Sequence, residues 1–154
     1  MKIRAVKLNN HKHAFEVSTW RDEYPFPYSR SEPSPTASDP VVEMFIDEEL
    51  GREAITYRLK SGREGTVHVD QVLEYNRDPA YMRDLLLYKL TLVAQKSVEE
   101  SRLSKREIIR RLNTSPAQFY RLLDQTNYRK SVDNLLLLLG ILDCEVDLVV
   151  KKGA

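Results

Sequence analysis

The chain has 154 residues, 42% of them hydrophobic and 31% charged, a composition that excludes a mostly disordered protein. That length allows one ordinary domain or two small ones. The net charge of +1 selects no class of partner by itself, and the single cysteine, Cys144, excludes an internal disulfide.

No apolar run near the start, MKIRAVKLNNHKH, has the character of a signal peptide. The longest apolar run, Leu135 to Leu139 and on to Leu142, is too short to span a bilayer. The expectation is a soluble, cytoplasmic protein, with a lone cysteine suited to a reducing compartment.

The first half reads as strands. Lys2 to Leu8 and Ala14 to Trp20 alternate in hydropathy around the polar Asn9-Asn10-His11-Lys12, which predicts a hairpin. Tyr24 to Pro40 holds five of the seven prolines and is expected to form a flap or a long inter-strand loop, with neither strand nor helix. Val41 to Ile46 is a further strand. Ile55 to Lys60 and Gly65 to Tyr75 form a hairpin around Ser61-Gly62-Arg63, alternating through Val67, Val69 and Val72. His68 is expected to face solvent from that strand. Together these make a small antiparallel sheet over residues 1–77, which requires a cover for its apolar face.

The cover begins at Asp78-Pro79, a good N-cap followed by the residue preferred at the first helical position. Tyr81, Met82, Leu85, Leu86, Leu90, Val93 and Ala94 then recur as a helical stripe, running to about Glu100 or breaking near Thr91. Residues 78–154 form the second, helical domain, so the expected fold class is α+β.

The informative stretch is SKREIIRRLNTSPAQFYRLLD, from Ser104 to Asp124. Ser104 with Glu107, and Ser115 with Gln118, are spaced as capping boxes, and Pro116 follows the second serine. One helix therefore starts after Ser104 and another after Ser115, with room for a single sharp turn between them. Ile108, Ile109 and Leu112 face Phe119, Leu122 and Leu123. The opposite side of the second helix presents Ala117, Tyr120, Arg121 and Asp124, with Gln118 and Gln125 at its edge; of these, Ala117, Gln118, Tyr120 and Arg121 are the ones of interest. Gln can pair with adenine, Arg with guanine, and Ala can touch a thymine methyl, so these four are the candidate base readers.

Charge is concentrated on the same stretch. From Arg102 to Lys130 eight Lys/Arg stand against Glu107 and Asp124, which is +6 and leaves −5 for the rest of the chain. Lys105, Arg106, Arg110 and Arg111 on the first helix are candidates to meet phosphates. So are Thr126, Asn127, Tyr128, Arg129 and Lys130 after the second, and the helix starts at Ser104 and Ser115. Downstream, Ser131 caps a helix through Leu135 to Leu142, and Glu145 to Val150 alternates as a short strand. That strand must pair either with the amino-terminal sheet or with its twin in a second chain.

The run LSKREIIRRLNTSPAQFYRLLD, with SVDNLLLLLGILDCEVDLVV after it, resembles a helix-turn-helix of the Xre/Cro type. It is most similar to the branch of HigA-like antitoxins, in which a leucine-rich helix and a terminal strand follow the reading helix. The resemblance covers roughly Leu85 to Lys151. Carried over by position, the reading helix falls on Ser115 to Leu123. One departure is Asn113, where the family usually has glycine; asparagine is the next most tolerant residue for a left-handed turn. Asp124 near the reading face is a smaller one. The resemblance implies a sequence-specific DNA-binding regulator of transcription. It further implies a homodimer and an antitoxin-like autoregulator that binds a toxin-like protein through its amino-terminal domain. The alternative is a protein-interaction or scaffold module in which the helix pair only packs.

Nothing in the sequence points to catalysis. His11 and His13 lack a third metal ligand nearby, and the carboxylates Asp22-Glu23, Glu48-Glu49 and Asp70 have no partner base. No phosphate loop or nucleophile motif is present, and Cys144 reads as a small buried hydrophobe. The expectation is no enzyme, no cofactor and no metal.

Overall fold

The computed structural model describes residues 1–153 and has an α+β architecture. The chain divides into two compact units, Met1–Met82 and Arg83–Ala154. No helix among the described residues is long and apolar enough to cross a membrane.

The first unit contains two sheets rather than one. β1 (Ile3–Asn9), β2 (Ala14–Thr19) and β3 (Glu23–Pro27) form one antiparallel meander, and β4 (Val41–Ile46), β5 (Ala54–Leu59) and β6 (Glu64–His68) form another. Their inner faces share a core: Ile3, Phe15, Val17, Tyr24 and Phe26 from the first sheet, Ile55, Tyr57, Leu59 and Val67 from the second. The Phe15 and Tyr57 rings meet at 5.1 Å between centroids.

β3 lies inside the stretch expected to contain no strand. It is an edge strand, paired only with β2, and there a proline need not donate to a second ladder. Tyr24 and Phe26 are buried, and they alternate with Pro25, which is exposed. The rest of the proline-rich stretch is packed rather than a flap. Pro33 and Pro35 are buried, and the Tyr57 hydroxyl donates to the Pro33 carbonyl at 2.6 Å. Gly65 permits that approach, because a Cβ there would sit 2.7 Å from the Glu32 carbonyl oxygen and closer still to the Tyr57 hydroxyl.

The strand expected from Gly65 to Tyr75 stops at His68 and becomes a helix, α1 (Val69–Tyr75). His68 is its cap: ring Nδ1 accepts the Asp70 amide at 3.2 Å, and the His68 amide donates to Gln71 Oε1 at 2.8 Å. Val69 and Val72, which fit a strand pattern, are three apart and so also share the buried face of a helix.

Helix α2 (Pro79–Glu100) is unbroken at Thr91, whose hydroxyl donates to the Leu87 carbonyl at 2.6 Å. Its buried line is Leu87, Thr91, Ala94 and Val98, one strip over from the expected stripe, while Leu86 and Val93 are exposed. Asp78 caps it as expected, accepting the Tyr81 amide at 3.0 Å. The same carboxylate accepts from Arg21 Nη2 at 2.7 Å and from the buried Tyr24 hydroxyl at 2.9 Å. Burial acts to raise the Asp78 carboxyl, but the Arg21, Tyr81 and Tyr24 hydrogen bonds outweigh it and hold it below the ordinary aspartate value.

In the second unit, α3 (Lys105–Leu112), α4 (Pro116–Leu122) and α5 (Val132–Ile141) pack with α2 around Ile108, Phe119, Leu135, Leu138 and Leu139. The expected terminal strand is not formed: among the described residues Glu145 to Val150 carries no ladder. The described residues of this unit hold no strand for its amides and carbonyls to join, and Leu148, Val149 and Val150 are exposed.

Asp78→Ala should lower stability at neutral pH by about 2 kcal/mol, through the lost cap and the orphaned Tyr24 hydroxyl. Because the folded pKa lies below the unfolded one, that contribution is present above the ordinary aspartate value and fades as pH falls through the folded one. Denaturant midpoints of the two proteins should therefore converge on acidification; a constant gap would refute the assignment.

Candidate nucleic-acid interface

The helix pair begins with two serines. Ser104 Oγ accepts the Glu107 amide at 3.1 Å and Ser115 Oγ accepts the Gln118 amide at 3.2 Å, with Pro116 in the first helical position. Only this half of each capping box is made; the Glu107 carboxylate is taken instead by Arg110 and Arg111.

Between the helices Asn113 is left-handed, with φ 53° and ψ 48°. Its amide bonds the Arg110 carbonyl at 3.0 Å and the Thr114 amide reaches Ile109 at 3.4 Å. This is the Schellman closure that glycine usually serves, here made by asparagine at modest steric cost. The chain reverses at once, so Phe119 and Leu122 pack back into the core beside Ile108.

That packing leaves the other side of α4 bare. Ala117, Gln118, Tyr120 and Arg121 are all exposed, and Tyr120 reaches 55% exposure while its ring leans edge-on to Phe119 at 5.4 Å. The four candidate base readers thus share one open surface. Beside it a cleft of about 610 Å³ opens between α4 and the start of α5, bordered by Asn113, Gln118, Arg121, Arg129 and Asn134.

The candidate phosphate ligands divide into two groups. Lys105, Arg106, Arg129 and Tyr128 are exposed, and none of the three cations forms an ion pair among the described residues; the same is true of Arg102 and Arg121. Arg110 and Arg111 are exposed but held by Glu107, whose carboxyl their hydrogen bonds, Arg110 first, push down to about 2. Thr126 is bound to Asp124 Oδ1 through its amide at 2.9 Å and its hydroxyl at 2.7 Å, and these bonds hold the Asp124 carboxyl below the ordinary value. Asn127 and Lys130 turn inward onto backbone carbonyls of α4 and its end.

No family model, curated protein or solved structure matches the chain. The site therefore stands on its own geometry.

One residue that the sequence reading passed over belongs to it. Gln95 of α2 donates through Nε2 to the Leu123 carbonyl at 2.7 Å. In sequence it is one more polar residue beside a helical stripe, with no local signal of its partner.

Glu107→Gln should release Arg110 and Arg111 toward a polyanion. Affinity for random duplex DNA should rise, and the slope of log affinity against log salt should steepen by about 1 to 2. Weaker binding in the variant would mean that Glu107 positions the arginines rather than masking them.

Proposed function

We propose that the protein is a sequence-specific DNA-binding regulator of the helix-turn-helix type, reading base edges in the major groove with α4. The observation that carries this is the left-handed turn at Asn113, which sets Gln118, Tyr120 and Arg121 on one exposed face, in a helix pair flanked by four further cations, Arg102, Lys105, Arg106 and Arg129, that form no ion pair among the described residues. Gln118 and Arg121 supply bidentate hydrogen bonds to bases, Ala117 an apolar contact, and Lys105, Arg106 and Arg129 the phosphate contacts that fix register.

The regulator acts as a two-fold dimer. The tail EVDLVVKK is acidic at one end and basic at the other, so antiparallel pairing with its own copy about Val149 sets Asp147 opposite Lys151 and Glu145 diagonal to it. Leu148, Val149 and Val150, exposed by 80%, 74% and 83%, gain cover in that pairing. Repression of its own promoter, as in antitoxin-like systems, follows when the operator lies there. A toxin-like protein engages the amino-terminal unit, where Trp20 is 76% exposed with Arg4 5.6 Å from its ring, a pair of the kind that anchors protein contacts.

Selection of duplexes from a random library tests the whole reading. Recovered sites should hold two inverted half-sites about 10 base pairs apart, and a single asymmetric site would remove the dimer. Affinity should fall with salt at a log–log slope of about −3 per protomer, from the three phosphate contacts, and flat, negligible binding at about 50 mM salt would sink the regulator reading. Arg121→Ala should relax preference at one base position by about 1–3 kcal/mol, whereas Arg106→Ala should weaken all sequences alike. For the protein partner, Trp20→Ala should abolish co-purification with the product of the neighbouring open reading frame and leave DNA binding unchanged. Undiminished co-purification places the partner elsewhere.

A further inference from the structure

A helix leaves its last four carbonyls without partners inside the helix, and α4 is only seven residues long, too short to be held by its own hydrogen bonds. Here four successive carbonyls, the last two of α4 and the two that follow it, are each met by a side chain, those of Arg121 and Asp124 in addition to a backbone amide. Asn127 Nδ2 donates to Arg121 O at 3.1 Å, and Lys130 Nζ to Leu122 O at 3.0 Å and to Asp124 O at 2.7 Å. Gln95 Nε2 donates to Leu123 O at 2.7 Å. The three donors come from α2, from the loop after α4, and from the residue before the Ser131 cap of α5.

We infer that Gln95, Asn127 and Lys130 form a clamp on the carboxyl end of the reading helix, and that they set its sequence preference by positioning Arg121 rather than by touching DNA. This deepens the DNA-binding reading and rests on it. A bidentate Arg–guanine contact tolerates little displacement, so the angle of so short a helix decides whether it forms. An ammonium suits this place, since the carboxyl end of a helix carries partial negative charge. Lys130 would have to break two hydrogen bonds to reach a phosphate. Its pKa lies below the ordinary lysine value because of burial, with Asp124 acting in the opposite direction. The inference removes Asn127 and Lys130 from the phosphate contacts that their sequence position and type suggest.

The test uses the full chain with Lys130→Met, Lys130→Arg, Gln95→Met and, as a phosphate control, Arg129→Met. Each binds the duplex recovered by selection and a scrambled duplex, over a range of salt, at a temperature where circular dichroism finds it folded. Arg129→Met should weaken both duplexes alike and lower the salt slope by about 1. Lys130→Met and Gln95→Met should leave the slope and the scrambled-duplex affinity unchanged, while the ratio between the two duplexes falls about tenfold. Lys130→Arg, which keeps a phosphate-binding charge but does not fit between the carbonyls, should lose the ratio as well.

If Lys130→Met lowers the slope by about 1 and weakens both duplexes equally, Lys130 is a phosphate ligand. The clamp is then overturned and the regulator reading stands. An unchanged ratio in Gln95→Met overturns it too, and this variant keeps every cation should Lys130→Met fail to fold. Absence of salt-dependent binding by the unaltered protein overturns both.

Discussion

The reversal of the chain at Asn113 is the constraint on which the interface depends. A left-handed residue closes α3 with two backbone hydrogen bonds, and Ser115 opens α4 two residues later. Without the left-handed turn α3 would lose this closure, and Phe119 would not be brought back toward Ile108. Because the chain turns, burial of Phe119 and Leu122 on one side of α4 requires exposure of Ala117, Gln118, Tyr120 and Arg121 on the other. The open face is thus a consequence of how the core closes.

Electrostatics around that face are less generous than the residue count suggests. Glu107 occupies two arginines and, with its carboxyl pushed down to about 2, stays ionised at any ordinary pH. Lys130 spends its charge on the end of α4, and Asp124 is tied into its own turn with Thr126. The remaining cations are spread along the approach to α3 and after α4, where, on the proposed function, they track a phosphate backbone while α4 reads bases. In that proposal charge draws the polyanion in, and the internally bonded polar groups keep α4 in place.

In the amino-terminal unit, prolines stiffen an edge. Pro25 and Pro27 sit where β3 has no outer neighbour, Pro33 receives the Tyr57 hydroxyl, and Gly65 keeps the space clear. Asp78 joins the strand region to the start of α2 by satisfying Arg21, Tyr24 and the Tyr81 amide together. A unit built this way presents its exposed aromatic, Trp20, from an ordered framework.

By itself the sequence determined the features that depend on neighbours within a turn or a strand. Ser104, Ser115 and Ser131 as caps, Pro116 in the first turn, Asp78-Pro79 opening α2 and the left-handed Asn113 were all legible, as were the packing faces of α3 and α4. Each is set by contacts three or four residues away, and a chain read locally contains them. The tertiary structure alone decided the rest. It made β3 from a proline-rich stretch because an edge was available. The helix Val69–Tyr75 is a different case: its cap, His68 with Gln71, is local, but Val67, Val69 and Val72 fit a strand pattern equally well. The tertiary structure also left EVDLVV without a ladder among the described residues, in a unit that is otherwise helical. The fates of Gln95, Asn127 and Lys130 were hidden for a related reason. A long polar side chain reaches in many directions, and whether it meets solvent, a phosphate or the end of a helix is set by what the fold brings within its reach, which for Gln95 is a carbonyl 28 residues away.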